Sequence, residues 1–202
     1  MSLKYLPTWL PWKVLNSRYA LKDKWIRLRN ETVQLPNKVI LSPWYTLEYP
    51  DWVCVVAITR LQQIVLVEQY RHGVKEVLLE LPAGSAEEGE DPLAAVKREL
   101  SEETGYVTDN WYSLGSYYTD AARHTNRAHA FLAMNVEQIS SQRPDEGELL
   151  NTHLVPWPEF AARLGAGSLK LTATHLACLF WLQRLVQAGT SDDVRQLRID
   201  LP

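Results

Sequence analysis

The sequence predicts an α+β fold, in which short strands and a few helices enclose one main core. Two apolar runs rich in β-branched residues, at 53–59 and 64–70, have the composition of neighbouring central strands. A segment at 91–105 carries helix signals at both ends, and two further helical segments follow at 158–164 and 172–188. Additional strands are predicted at 77–81, 111–118, 128–136 and 149–155.

Length and composition are those of a compact globular protein. The 202 residues can bury a sizeable core, and 22% charged with 46% hydrophobic residues excludes a disordered or fibrous class. The net charge of −3 argues against nucleic acid as a partner, because duplex binding needs a clustered basic face. Without a signal pattern or an apolar run of membrane length, we expect a cytoplasmic protein with no membrane partner. Cys54 and Cys178 lie in apolar runs and are expected to be reduced core thiols.

Residues 1–51 are expected to form a separate β-rich sub-domain, and residues 52–202 the main domain. Strand patterns at 25–33 and 39–47 flank a turn at 35–38. The aromatic residues around this hairpin are more numerous than it can bury: Trp44, Tyr45, Tyr49 and Trp52. They either pack on the main domain or serve a subunit interface or an adenine-stacking wall, and the sequence leaves both interpretations open.

The helix at 91–105 is the best-defined element. Asp91 suits the N-cap, Pro92 the first helical position, and Gly105 the position after the last turn. Apolar residues recur every three or four positions along it, at Leu93, Val96 and Leu100. The helix therefore has one apolar stripe, and its charged residues fall on other faces.

Three acidic residues converge on one face of this helix. Glu99 and Glu103 are one turn apart, with Glu102 beside them. Like charges at this spacing are destabilising, so we expect a positive partner, and a hard divalent cation is the natural candidate. A solvated acidic surface is the simpler interpretation. The lone Lys97 and the acidic loop at 87–90 favour a site instead, because they leave negative charge uncompensated.

The glycine, arginine and glutamate residues of this region match a known motif in their spacing. The matching residues are Gly84, Glu90, Arg98, Glu99, Leu100, Glu102, Glu103, Gly105 and Tyr106. By this motif the chain resembles the Nudix hydrolase family, although an aliphatic residue is usual where Tyr106 stands. The resemblance implies an α/β/α sandwich with a mixed sheet and the hydrolysis of diphosphate bonds.

The flanks of the motif resemble the branch of the family that acts on ADP-ribose and related nucleoside diphosphate sugars. The matching segments are Gln69-Tyr70-Arg71 and Glu80-Leu81-Pro82-Ala83-Gly84. By this match Arg71 would contact phosphate or the terminal ribose, because a planar guanidinium suits two-point phosphate recognition. Glu80 is a further candidate for substrate binding.

A polar loop at 119–127 is where the resemblance weakens. Ala121-Ala122 stands where ADP-ribose-specific members carry Pro-Gly, so the exact substrate stays open. Arg123 and Arg127 are candidates for additional phosphate contacts. His124 is interpreted as an exposed loop histidine in preference to a catalytic one.

The resemblance also implies a metal site. Its ligands would be the backbone carbonyl of Ala83 and the side chains of Glu99, Glu103 and Glu148, and its cation Mg²⁺ or Mn²⁺. Glu102 would complete or support a second metal position, and Arg98 would hold Glu90 or Glu102 in place. Glu146 would be the general base on a mobile acidic loop, in a role that Glu148 can exchange with it. A merely solvated loop is the alternative.

The carboxyl-terminal region is expected to supply packing. The helix at 158–164 ends at Gly165 and Gly167, whereas the helix at 172–188 is apolar around much of its circumference and should be buried against the sheet or another subunit. His175 on this helix is interpreted as a core or interface residue. The tail from residue 191 is polar and is expected to be peripheral.

Three functions compete on these observations. The favoured one is a metal-dependent pyrophosphatase that cleaves ADP-ribose or another nucleoside diphosphate sugar, a small-molecule substrate, to a nucleoside monophosphate and a sugar phosphate. The second is Nudix activity on dinucleotides, oxidised nucleotides or capped RNA. The third is a non-catalytic nucleotide-binding module, although such modules lose motif carboxylates that this chain retains. The family branch further implies a homodimer built through the amino-terminal sub-domain.

Overall fold

A computed structural model describes residues 10–143, 147–189 and 192–197. The strands are β1 (Lys13–Lys22), β2 (Arg27–Gln34), β3 (Ile40–Glu48), β4 (Trp52–Thr59), β5 (Gln63–Arg71), β6 (Glu76–Glu80), β7 (Ala83–Ser85), β8 (Tyr106–Val107), β9 (Asn110–Tyr118), β10 (Arg127–Gln138) and β11 (Leu150–Pro156). The helices are α1 (Pro92–Thr104), α2 (Trp157–Gly165), α3 (Ala173–Ala188) and α4 (Asp192–Arg195).

The chain divides into two compact units. One consists of the described part of Met1–Tyr49 together with Tyr118–Asn126, and the other of Pro50–Tyr117 with the described part of Arg127–Pro202. The polar loop after β9 thus belongs to the first unit, which the sequence did not indicate. The assignment of 1–51 and 52–202 as separate domains stays a prediction.

The first unit is a three-stranded antiparallel sheet in the order β1-β2-β3. The predicted strands around the turn at 35–38 correspond to β2 and β3, whereas β1 lacks a regular apolar alternation and was not predicted. All ten residues of β1 are exposed, and within the described part of this unit Val33 is the only buried hydrophobic residue. The sheet therefore has almost no core of its own.

The second unit contains a mixed eight-stranded sheet with the central order β11-β5-β4-β10-β8. β4 and β10 are parallel, whereas the pairs β8–β10, β11–β5, β4–β5, β5–β6 and β4–β7 are antiparallel. The two apolar runs predicted as adjacent central strands are β4 and β5, and their central residues are buried. The predicted α+β class with a mixed sheet is confirmed.

The alternation of side chains along β4 creates one core on each face of the sheet. On one face, β4 residues pack against α1: Val53, Val55 and Ala57 with Ala95, Val96 and Leu100. On the other face, β4 residues pack with α2 and α3: Cys54, Val56 and Ile58 with Phe160, Cys178, Leu179 and Leu182. Both cysteines are free and buried, as predicted. The result is the expected α/β/α sandwich.

The expectation of a peripheral tail is wrong for residues 192–197. Val194 and Leu197 are fully buried and belong to the same core as α3. Val194 lies on α4 and Leu197 in the turn that follows it, where the N–H of Leu197 donates to the carbonyl of Val194 at 3.0 Å. Among the described residues, no helix combines the length and the apolar composition that crossing a bilayer requires.

His175 lies in the first turn of α3 and is fully buried. Its ring lies over Trp52 with 5.5 Å between centroids, and in the described structure neither ring nitrogen has a hydrogen-bond partner. Burial and the positive charge of Arg71 lower the pKa of His175 to about 4. His175 is therefore a neutral core residue at pH 7 in this unit.

Replacing His175 by phenylalanine is expected to flatten the pH dependence of stability. Since the folded-state pKa lies below the unfolded value, the unfolded chain binds the additional proton between pH 6.5 and 4, and the native protein loses stability as the pH falls through that window. Between pH 7 and pH 5 the wild type should lose about 2 kcal/mol of unfolding free energy that His175→Phe retains. Urea titrations at both pH values measure this difference, with exposed His153→Gln as the control. Equal pH-dependent losses in wild type and His175→Phe would contradict the assignment.

Candidate active site

Local capping signals define the ends of α1. The Asp91 carboxylate accepts hydrogen bonds from the backbone N–H groups of Leu93 and Ala94, at 3.0 and 3.1 Å. At the other end Gly105 has a φ of 74°, and a Cβ there would lie 2.0 Å from the carbonyl oxygen of Ser140. Only glycine fits both constraints. The predicted helix is confirmed, and its acidic face is thereby fixed relative to the sheet.

Arg98 lies at the centre of the acidic face. Its guanidinium contacts Glu90 at 3.0 Å, Glu99 at 2.9 Å and Glu102 at 3.1 Å, and it donates to the carbonyl of Ser85 at 3.1 Å. These contacts lower the pKa of Glu90 and raise that of Arg98. The positive partner that the sequence required is therefore supplied in part by this arginine.

Glu103 is the most buried carboxylate of the helix, with 3% of its surface exposed. Its Oε2 accepts a hydrogen bond from the backbone N–H of Ala83 at 3.0 Å. Burial raises the pKa of Glu103 to about 8, and the negative charges of Glu99 and Glu148 add to the increase. A carboxyl group with this pKa is largely protonated at pH 7, and a nearby cation would favour its ionised form.

The carboxylate of Glu99 packs closely against Gly84, the first residue of the motif. A Cβ added to Gly84 would lie 2.2 Å from the Cδ of Glu99, so the glycine makes room for this carboxylate. Burial raises the pKa of Glu99, against the opposing effect of Arg98, and Glu102 and Glu148 raise it further. The structure thus brings Glu99, Glu103 and Glu148 within electrostatic reach of one another, next to Ala83. Glu146, the predicted general base, lies outside the described residues.

The donor set suits a hard divalent cation, because it consists of carboxylate oxygens in a partly buried site. In the conformation described, however, no three acidic, histidine or cysteine side chains of residues 10–143, 147–189 and 192–197 form a group at metal-binding geometry. Glu99 is turned toward Arg98, and Glu103 toward the Ala83 N–H. Cation binding would therefore require small side-chain rotations within the cluster.

Arg71 and Glu80 form the second polar group of the site. Glu80 is completely buried at the end of β6, and its Oε2 accepts from Nε of Arg71 at 2.9 Å and from Gln69 at 3.2 Å. The Arg71 side chain is 41% exposed, and its charge works against the rise in the Glu103 pKa. Gln69 received no role from the sequence, although alternation along β5 places it on the same face as Arg71.

The loop that carries Arg123 belongs to the first unit. The carbonyl of Arg123 accepts from the N–H of Leu47 at 2.8 Å, and the ring of His124 lies 5.3 Å from that of Tyr49. This loop therefore extends the end of β3. The predicted role of Arg123 in substrate binding stays a prediction. Arg127 lies in the second unit, where its Nε donates to Ser116 at 2.8 Å.

Two family models match this chain. The NUDIX domain matches residues 48–174, and the Nucleoside diphosphate sugar hydrolase N-terminal domain matches residues 12–47. The chain belongs to the Nudix family. The resemblance inferred from the motif is confirmed, and so, at the level of the family, is the predicted enzyme class of Nudix pyrophosphohydrolase.

Relatives of this Nudix chain include an ADP-ribose pyrophosphatase of Bacillus subtilis (strain 168), which is 32% identical over 68% of this chain and 75% of its own. A methanol dehydrogenase activator of Bacillus methanolicus is 33% identical over 62% of this chain and 68% of its own. An ADP-sugar pyrophosphatase of Mus musculus is 27% identical over 76% of this chain and 77% of its own. A solved ADP compounds hydrolase has the same fold, with a TM-score of 0.75 at 17% identity over 91% of this chain and 98% of that one.

Replacing Gly84 by alanine is expected to displace the Glu99 carboxylate without disturbing the backbone. The new Cβ would overlap Glu99, whereas residue 84 lies in an ordinary strand that tolerates alanine. Because a displacement of about 1 Å in a functional group can cost 10²-fold in rate, we expect about a 10- to 100-fold loss of cation-dependent turnover with little change in melting temperature. Gly73→Ala, which meets nothing within 4 Å, is the matched control. Turnover equal to that of the control would refute the role of Glu99.

Proposed function

We propose that this Nudix protein hydrolyses the diphosphate bond of ADP-ribose or a related nucleoside diphosphate sugar with the aid of Mg²⁺ or Mn²⁺. The products are a nucleoside monophosphate and a sugar phosphate. The observation that carries the proposal is the assembly of Glu99, Glu103 and Glu148 beside Ala83. The substrate class is supported by the match of residues 12–47 to the nucleoside diphosphate sugar hydrolase N-terminal domain and by the names of the relatives.

The acidic cluster would hold the cation through Glu99, Glu103, Glu148 and the carbonyl of Ala83. When bound, a divalent cation neutralises phosphate oxygens and lowers the pKa of a coordinated water. Arg98 pairs with Glu90 and Glu102 and would hold both in place, whereas Glu99 would turn from Arg98 toward the cation. Glu102 itself is assigned to support of a second cation position.

The reaction joins a water oxygen to one phosphorus and breaks the bridging P–O bond, whose electron pair leaves with the other phosphate. Glu146 is proposed as the base that takes the proton of the attacking water, with Glu148 as the alternative. Arg71 is proposed to bind a phosphate oxygen, because its half-exposed guanidinium lies beside the acidic cluster. Arg123 is proposed as a further substrate contact.

A homodimer is proposed to complete the first unit. A three-stranded sheet whose described residues include one buried hydrophobic side chain cannot hold together by apolar burial alone. Exposed apolar side chains lie along the edge strand β1 and next to its ends: Trp12, Val14, Leu15, Tyr19, Leu21 and Trp25. Others lie on or next to β3, among them Val39, Ile40 and Tyr45. A second copy of the chain would cover those along β1. We assign the protein to the cytoplasm and propose no nucleic-acid or membrane partner.

The activity is tested with a panel of nucleoside diphosphate sugars, dinucleotides and oxidised nucleotides in Mg²⁺ or Mn²⁺, scored by the monophosphate released. We expect fastest turnover of ADP-ribose or another nucleoside diphosphate sugar, and loss of turnover with a chelator. Glu103→Gln should reduce turnover by orders of magnitude, because it removes a ligand charge, and should leave the fold intact. Comparable slow turnover of every compound, or an active Glu103→Gln, would contradict the proposal. Binding without turnover would favour the non-catalytic nucleotide-binding module instead.

Introducing charge on β1 is expected to dissociate the dimer. Val14→Asp and Leu21→Asp place carboxylates on an exposed apolar edge, where a second copy would have to desolvate them. Sedimentation equilibrium at micromolar concentration should show dimeric wild type and monomeric variants. Leu61→Asp, at an 81% exposed position of the second unit, should remain dimeric. A monomeric wild type at all concentrations would overturn the dimer.

A further inference from the structure

The ion pair between Arg71 and Glu80 is asymmetric. Both Nε and Nη2 of Arg71 approach the same carboxylate oxygen, Oε2, at 2.9 and 2.6 Å. Gln69 donates to this oxygen as well, at 3.2 Å. The other oxygen, Oε1, is buried and has no hydrogen-bond partner among the described residues. An ion pair that served stability alone would engage both oxygens, because an unpaired buried acceptor costs free energy.

Glu80 is too deeply buried to contact a bound molecule. None of its surface is exposed, and it faces Val67 across the β5–β6 pair. Arg71, two strand positions from Gln69 on β5, lies on the solvent side of this carboxylate and is 41% exposed. Any effect of Glu80 on substrate must therefore pass through Arg71.

The ion pair with Glu80 determines which edge of the Arg71 guanidinium is available for binding an anion. Nε and Nη2 are engaged by Glu80, and no described contact occupies Nη1. A guanidinium with one edge fixed presents the remaining donors in a set direction, which lowers the entropy lost when an anion binds. The charge of Arg71 also acts on Glu103, so the guanidinium lies within electrostatic range of the proposed cation site.

We propose that Glu80 is a positioning residue, which orients Arg71 toward a phosphate oxygen of the substrate. The inference rests on the proposed function for the identity of the anion, a nucleoside diphosphate. In this role Glu80 does not contact the substrate. The alternative is a purely structural role, in which the ion pair between Arg71 and Glu80 only joins β5 to β6.

A double-mutant cycle separates the two roles. Wild type, Arg71→Ala, Glu80→Gln and the double variant are compared by calorimetric binding of α,β-methylene ADP-ribose, a non-hydrolysable nucleoside diphosphate sugar, in Mg²⁺. Glu80→Gln should weaken binding about tenfold, and the double variant should bind no more weakly than Arg71→Ala. In steady-state assays KM should rise about tenfold with kcat changed less than about threefold, as for lost ground-state binding.

The control is Glu76→Gln on the same strand, whose carboxylate is exposed and pairs with Lys170. It should bind as wild type does. If Glu80→Gln fails to fold, Arg71→Lys replaces it, because lysine keeps the charge but lacks the planar guanidinium whose fixed donors Glu80 holds. Arg71→Lys should lose as much affinity as Arg71→Ala.

Additive losses in the double variant, an Arg71→Lys that binds as wild type does, or a wild type that does not bind the analogue would each overturn the positioning role. Failure of the proposed function is a distinct result. In that case the wild type hydrolyses no nucleoside diphosphate sugar, while the losses of affinity for the analogue remain non-additive. If the wild type hydrolyses a nucleoside diphosphate sugar but the losses of affinity are additive, the proposed function is correct and Glu80 has no positioning role.

Discussion

The concentration of negative charge on α1 is the constraint on which the rest of the site depends. Glu99, Glu102 and Glu103 lie within one helical turn, and burial makes the repulsion between them more costly than in water. Arg98 offsets part of it by reaching three carboxylates, and the N–H of Ala83 offsets another part at Glu103. The remaining negative charge is what a substrate-associated cation would neutralise. Capping at both ends of the helix and the close approach permitted by Gly84 hold these groups in place.

β4 connects the acidic cluster to the rest of the second unit. One face of this strand packs against α1 and the other against α2 and α3. The strand therefore lies between the two cores and contributes side chains to both. β7, which contains Ala83 and Gly84, pairs with its first residues, and β5 and β6 bring Arg71 and Glu80 to the same region. Arg71, Glu80 and Ala83 are thereby carried by neighbouring strands, and the acidic cluster by a helix that packs on β4. Such support keeps functional side chains within a narrow range of positions.

The two units differ in how they are stabilised. The second buries two extensive apolar clusters, whereas the described part of the first buries one hydrophobic residue and a carboxylate, Glu31, which accepts from Ser17 and Thr46. Polar networks of this kind define geometry but contribute little net free energy. The exposed aromatic and aliphatic residues of β1 are the reason for proposing that a second copy covers this strand. The sequence showed an excess of aromatic residues around the following hairpin, at Trp44, Tyr45, Tyr49 and Trp52, and left their partner open.

The sequence by itself determined the elements whose signals are local. The ends of α1 follow from Asp91 and Gly105, the central strands from two β-branched runs, and the family from the spacing of one motif. The tertiary structure decided what depends on distant residues: the exposed strand β1, the short strands β7 and β8, the burial of Val194 and Leu197, and the unit to which Arg123 belongs. It also decided that Arg98 contacts Glu99 and that Glu80 lies behind Arg71. Capping and periodicity are properties of adjacent residues, whereas strand pairing, burial and ion pairing arise between segments that only folding brings together.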